Sequence, residues 1–156
     1  MCGQAYIFSP YSKLGMTIQL EVFGIPAPQG SKAVYNGRVV EQSAKTLKPW
    51  RKAVAQACHD AITEDHVFLI GPVKIEIDFY LVRPPSVKMN KRAFPIVPPD
   101  IDKLCRSTLD GVSQGLNGKV GDGLMWGDDS LVVELIARKF YADDREPGAT
   151  ITISAL

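Results

Sequence analysis

Long apolar runs are missing from this chain, and so are most of the residues that usually carry redox or zinc chemistry. No apolar stretch approaches the roughly 20 residues needed to cross a bilayer. Met1 to Gly15 has neither the basic start nor the small-residue cleavage site of a secretory signal. The 3 cysteines are odd in number, widely spaced and without a C-x-x-C, so neither a disulfide framework nor a zinc site is suggested. Cys58 and Cys105 fall in helical patterns and read as small packing residues. The 2 histidines, His59 and His66, pair neither with each other nor with a nearby cysteine. The glycine-rich stretch 117–123 lacks the G-K-S/T ending of a phosphate-binding loop and does not fit an EF-hand. These absences lead us to expect a soluble, reduced, cytoplasmic protein with no membrane partner and no organic cofactor.

Net charge is scarce too, at +1, but it is unevenly placed. Lys32, Arg38, Lys45, Lys48, Arg51 and Lys52 stand against a single acid, Glu41. Arg83, Lys88, Lys91, Arg92, Lys103 and Arg106 stand against Asp100 and Asp102. From Asp110 to Glu146, by contrast, acids outnumber bases. Basic blocks beside an acidic cluster suit a surface that holds phosphates around a metal centre. Each lysine taken singly is better explained as a solvated surface group, and it is the segregation that points to phosphates.

At 46% apolar and 22% charged residues the composition is that of a globular domain. Residues 16–156 are expected to form one domain, with 1–15 as a poorly determined extension and Met16 as an alternative start. Alternation marks Thr17 to Gly24 as a half-buried strand, and Val73 to Leu81 as a second one. Asn36-Gly37 predicts a type I′ hairpin turn, since it supplies two positive φ values. Leu47, Trp50, Val54, Ala57, Ala61 and Ile62 recur at helical spacing over about Thr46–Thr63, with Pro49 expected in the first turn and Trp50 as a core anchor. Arg83 to Pro99 is a long, proline-rich loop, read as a mobile basic arm that orders on a polyanion. A second helix starts at Asp100, and strands follow at Leu131–Tyr141 and Thr150–Ser154. The order gives an α+β fold, a small mixed or antiparallel sheet with two packed helices.

The rest is organised around Pro98-Pro99-Asp100-Ile101-Asp102-Lys103-Leu104-Cys105-Arg106 and the later Trp126-Gly127-Asp128-Asp129. Carboxylates gathered together repel one another and raise their own pKa values. A divalent cation removes that conflict, and Mg²⁺ favours a few carboxylates with waters and phosphate oxygens. The candidate ligands are therefore Asp100, Asp102 and Asp129, with Asp128 as a substitute for its neighbour. A rival explanation is that Asp100 and Asp102 only cap a helix and that Asp128-Asp129 only form a turn. Asp102, Arg106 and Asp110 fall at i, i+4 and i+8, a spacing that also fits a plain charge ladder.

These motifs, with Leu104, Asp110, Val132 and Lys139, resemble the RusA family of Holliday-junction resolvases. Ile25-Pro26-Ala27-Pro28-Gln29-Gly30-Ser31-Lys32, the hairpin and the Trp50 helix also resemble phage-type members, so the likeness runs from about Ile18 to Ile153. The resemblance implies a homodimer that nicks four-way DNA junctions symmetrically, leaving 5′-phosphate and 3′-hydroxyl ends, in DNA recombination and repair. It implies Mg²⁺, with Mn²⁺ as an alternative, at Asp100, Asp102 and Asp129. Arg106 and Lys103 would offset charge in the transition state. Two departures stand out: Lys103 replaces the family's common Asn, and Arg106 replaces its Lys. Arginine keeps the charge but cannot give up a proton near neutrality. The candidate DNA contacts are Lys32, Arg38, Lys45, Lys48, Arg51, Lys88, Lys91 and Arg92, acting mostly through phosphates. The alternatives are a non-catalytic binder of branched DNA and a D-x-D nucleotide-sugar transferase.

Overall fold

A computed structural model of the chain describes residues 15–30, 32–41, 44–63, 68–119 and 121–156. The expected N-terminal extension, apart from Gly15, lies outside the described residues, as do His66 and the side chain of Lys32.

Alternating apolar positions build the sheet. In β4 (Val73–Leu81) each odd residue is buried and each even one half-exposed, so one face is core and the other carries Lys74, Glu76, Asp78 and Tyr80. β4 pairs antiparallel with β6 (Gly148–Ala155) and parallel with β5 (Val132–Tyr141). β6 also pairs antiparallel with β1 (Thr17–Phe23), giving the order β1-β6-β4-β5. At Gly148 a Cβ would overlap the carbonyl oxygen of Val22, so only glycine allows these two strands to meet. β2 (Lys32–Tyr35) and β3 (Arg38–Glu41) form a separate hairpin. Its turn residues have φ of 50° at Asn36 and 72° at Gly37, as the type I′ signal requires.

Two helices cover the buried sheet face. α1 (Ala44–Asp60) starts earlier than its apolar spacing predicts, so Pro49 lies inside the helix, beyond the first turn. Its ring removes the N–H that Lys45 O would otherwise accept. Trp50 is 1% exposed, as expected of a core anchor, and its indole Nε1 donates to Thr108 Oγ1 at 3.1 Å. That bond ties α1 to α2 (Ile101–Gln114). The helices approach closely at Gly111, where a Cβ would stand 2.9 Å from Val54 Cβ. The chain thus has the expected α+β class, a small mixed sheet with two helices packed on it. Among the described residues no helix is long and apolar enough to cross a membrane.

The loop between β4 and α2, expected to be a basic arm, is tied down at both ends, while Lys88 and Lys91 lie in a stretch whose backbone bonds stay within the loop. Arg83 donates to both oxygens of Asp143, at 2.7 and 2.9 Å, and to the carbonyl of Arg92 at 2.6 Å. Phe94 packs near Phe140. At the far end Lys139 Nζ donates to the carbonyls of Val97 (3.1 Å) and Pro99 (3.0 Å). Prolines deprive the loop of backbone donors, and these long cationic side chains hold its carbonyls instead.

Candidate active site

The N-terminus of α2 is set by two neighbouring segments, the 25–30 loop and β5. Ser107 Oγ donates to Ala27 O at 2.6 Å, and the Gln29 amide donates to Lys103 O at 3.1 Å, docking the 25–30 loop on the first turns. Lys139, from β5, holds the residue just before Asp100. Asp100 occupies the N-cap with extended backbone angles, yet its carboxylate makes no capping hydrogen bond. It faces Lys103 Nζ instead, at 3.3 Å, with Asp100 exposed and Lys103 partly so. Helix capping therefore does not account for Asp100. It does account for Asp128, whose carboxylate accepts from the Ser130 amide at 2.7 Å and caps the 3₁₀ turn Asp129–Leu131. The Ser130 hydroxyl first, and then this amide, hold the Asp128 carboxyl below its ordinary range.

A cavity of about 530 Å³ opens between α2, the 3₁₀ turn and β5. Asp102, Arg106 and Asp110 enter it from one stripe of α2, and Asp129 faces them from a segment some twenty residues downstream in the chain. Leu135 and Ala137 of β5 supply an apolar wall, and Cys105 lies at the side. Burial, with the Asp102 charge adding to it, pushes the Cys105 thiol up to about 11, which leaves it inert near neutral pH. Asp100, Lys103 and Asp128 are not among the residues that line this space.

Asp129 is the least comfortable of the carboxylates. Burial pushes its pKa above the ordinary 3.8; the indole of Trp126 works against that, and the neighbouring charges of Asp110 and Asp128 add to it. Trp126 is fully buried and donates Nε1–H to Asp129 Oδ1 at 2.9 Å, which fixes the carboxylate's direction. Asp110 is paired: Arg51 Nη2 reaches its Oδ2 at 2.6 Å from α1. A half-buried acid beside another acid is the situation a cation relieves. Among the described residues no three His, Cys, Asp or Glu side chains are gathered tightly enough to cage an ion unaided. Mg²⁺ ordinarily takes only one or two carboxylates and completes its shell with waters and phosphate oxygens, so it does not require such a cage; Asp102 and Asp129 are the acids lining the cavity that have no cationic partner among the described residues.

The candidate DNA contacts are dispersed over several elements. Arg38 is exposed at the hairpin tip and Lys45 near the start of α1. Lys48 and Arg51 line a second cavity together with Lys52. Lys88 and Lys91 are exposed between the two anchored ends of the loop, and Arg92 is half-buried there. Three contributors were not assigned a role from the chain alone: Asp110 as a cavity wall, Trp126 as a hydrogen-bond donor and Lys139 as a clamp. Asp110 had a signal in the i, i+4, i+8 stripe. Trp126 and Lys139 had none beyond their place in the motif.

A family model described as endodeoxyribonuclease RusA matches residues 24–154. The chain is also similar to the uncharacterized protein YqaN of Bacillus subtilis (strain 168), at 28% identity over 138 residues, which covers 81% of this chain and 89% of that one.

Proposed function

Because this chain belongs to the RusA endodeoxyribonuclease family, we propose that it resolves four-way DNA junctions by paired symmetric nicks, acting as a homodimer with Mg²⁺ or Mn²⁺. The observation that carries the reading is the meeting of Asp102, Arg106 and Asp129, from separate segments, in one cavity. Asp102 and Asp129 are the proposed ligands to the ion. Asp100 is a third, since its present partner is a partly exposed lysine that exchanges readily. Asp128 is already engaged at the turn and is the last resort. The ion, when bound, supplies an activated water and polarises the scissile phosphate.

The protein's own groups then have separable jobs. Trp126 holds Asp129 in one rotamer, so its carboxylate is aimed before substrate arrives. Arg106 offsets the negative charge that grows on the phosphorus centre, and Lys103 adds positive charge beside it. Because arginine stays protonated, Arg106 stabilises charge and does not act as the acid. Arg51 neutralises Asp110 and so limits the repulsion within the cavity. In-line attack leaves a 5′-phosphate and a 3′-hydroxyl. A near-symmetric junction needs two opposed cuts, which is the physical reason for two copies of the chain.

A labelled synthetic four-way junction incubated with Mg²⁺ or with EDTA tests this. Symmetric nicks with Mg²⁺ and none with EDTA are expected. A metal-independent band shift without nicking would favour a non-catalytic junction binder, and neither binding nor nicking would remove the reading altogether.

A further inference from the structure

A second concavity, of about 340 Å³, lies between the first half of α1 and the turn that ends α2. Its charged side chains are Lys48, Arg51 and Lys52, and no carboxylate lines it. The spacing of i, i+3 and i+4 puts all three on one helix face, where like charges destabilise one another unless an anion intervenes. Among the described residues Lys48 and Lys52 have no acidic partner. Arg51 has one in Asp110, yet its Nε is buried with no hydrogen-bond acceptor at all. The two unpaired ammonium groups of Lys48 and Lys52 are the donors that an oxyanion in this space would meet.

We propose that this cavity binds one backbone phosphate of the DNA substrate at a place separate from the bond that is cut. The inference rests on the endonuclease reading above and extends it. The donor set suits phosphate, pairing a planar guanidinium with two ammonium groups. No aromatic side chain lines the cavity, so a base would find nothing to stack on. The opposite wall includes Gly115 and Gly118, with φ of 66° and 73°. A Cβ at Gly118 would meet nothing within 4 Å, so this part of the wall borders open space. Arg51 also gives the cavity a fixed relation to the acidic one, because its Nη2 holds Asp110 on that cavity's wall. A phosphate seated here therefore registers the strand against Asp102 and Asp129 through a single guanidinium.

The test is the Lys48→Gln/Lys52→Gln double variant, with its fold checked by circular dichroism. Junction binding is measured in EDTA over a series of salt concentrations. The slope of log affinity against log salt is expected to be shallower than wild type by about 1, the value for one lost phosphate contact. An unchanged slope overturns the proposal. If wild type fails to bind junctions at all, the endonuclease reading falls and the cavity is judged on its own. Inorganic phosphate titrated into ¹⁵N-labelled wild type is then expected to shift the Gly115 and Gly118 amides, with the shifts lost in the double variant. Amides that stay put in wild type would overturn it.

Discussion

The exposed sheet face and the α2 cavity are built from the same residue types and treat them in opposite ways. On the sheet, Lys74 reaches Glu76 at 3.1 Å and Glu134 at 3.6 Å, while Arg138 reaches Asp78 at 2.6 Å and Glu76 at 3.2 Å. The Lys74 bond, followed by Arg138, holds Glu76 below its ordinary pKa of 4.5, and Glu76 in turn raises Lys74. Every acid there has a cation. In the cavity Asp129 is half-buried, has no cation of its own and is pushed up. The signs under linkage are therefore opposite. Glu76 contributes a small stability that is present above its unfolded pKa and is lost as pH falls through its lower folded value. Asp129 favours folding while protonated, and that contribution disappears as pH rises through its raised folded value. The sheet acids are each balanced by a cation within the fold; Asp129 has only neutral hydrogen-bond donors.

Exchanging carboxylates for amides in the two regions is the sharpest way to break this contrast. Asp102→Asn and Asp129→Asn are expected to lower junction cleavage by roughly 10³-fold. Asp129→Asn should at the same time raise Tm at neutral pH, since it removes a charge the fold holds unwillingly. A loss of stability there would mean that the carboxylate is structural. Gly111→Ala forces α2 away from Val54 and should cost about 1–3 kcal/mol by denaturant unfolding; cleavage should fall with it, because the acidic stripe moves. Trp126→Phe removes the one bond that lowers the pKa of Asp129 from the indole side, so the acid limb of the cleavage–pH profile should move to higher pH. An unmoved limb would take the indole out of the site's electrostatics. The smallest effect belongs to the sheet: Asp78→Asn should leave cleavage within about twofold of wild type, as expected for an exposed ion pair.

Local features were legible in the chain, and long-range ones were not. β4 announces itself because strict alternation from Val73 to Leu81 records which face is buried. Asn36-Gly37 specifies its turn because few other pairs tolerate two positive φ values. Pro49 lies deeper in α1 than its spacing predicts because the two added residues, Ala44 and Lys45, extend no apolar stripe that would reveal them. The parallel pairing of β4 with β5, and β6 lying between β1 and β4, depend on contacts between distant segments that no local pattern encodes. The site divides in the same way. The D-x-D and D-D pairs are visible as motifs, but the Arg51–Asp110 pair joins residues 59 positions apart. Nor does any spacing distinguish Asp129, turned into the cavity, from Asp128, spent on a cap.

The account depends on the cavity carboxylates meeting a hard cation that the sheet carboxylates do not need. The direct measurement is Mg²⁺-induced thermal stabilisation of wild type, Asp129→Asn and Asp78→Asn without DNA, since an ion that binds only the folded state raises Tm. Wild type and Asp78→Asn should gain equally with increasing Mg²⁺, and Asp129→Asn should gain little. An equal gain in all three would show that the ion binds elsewhere and contradict the assignment.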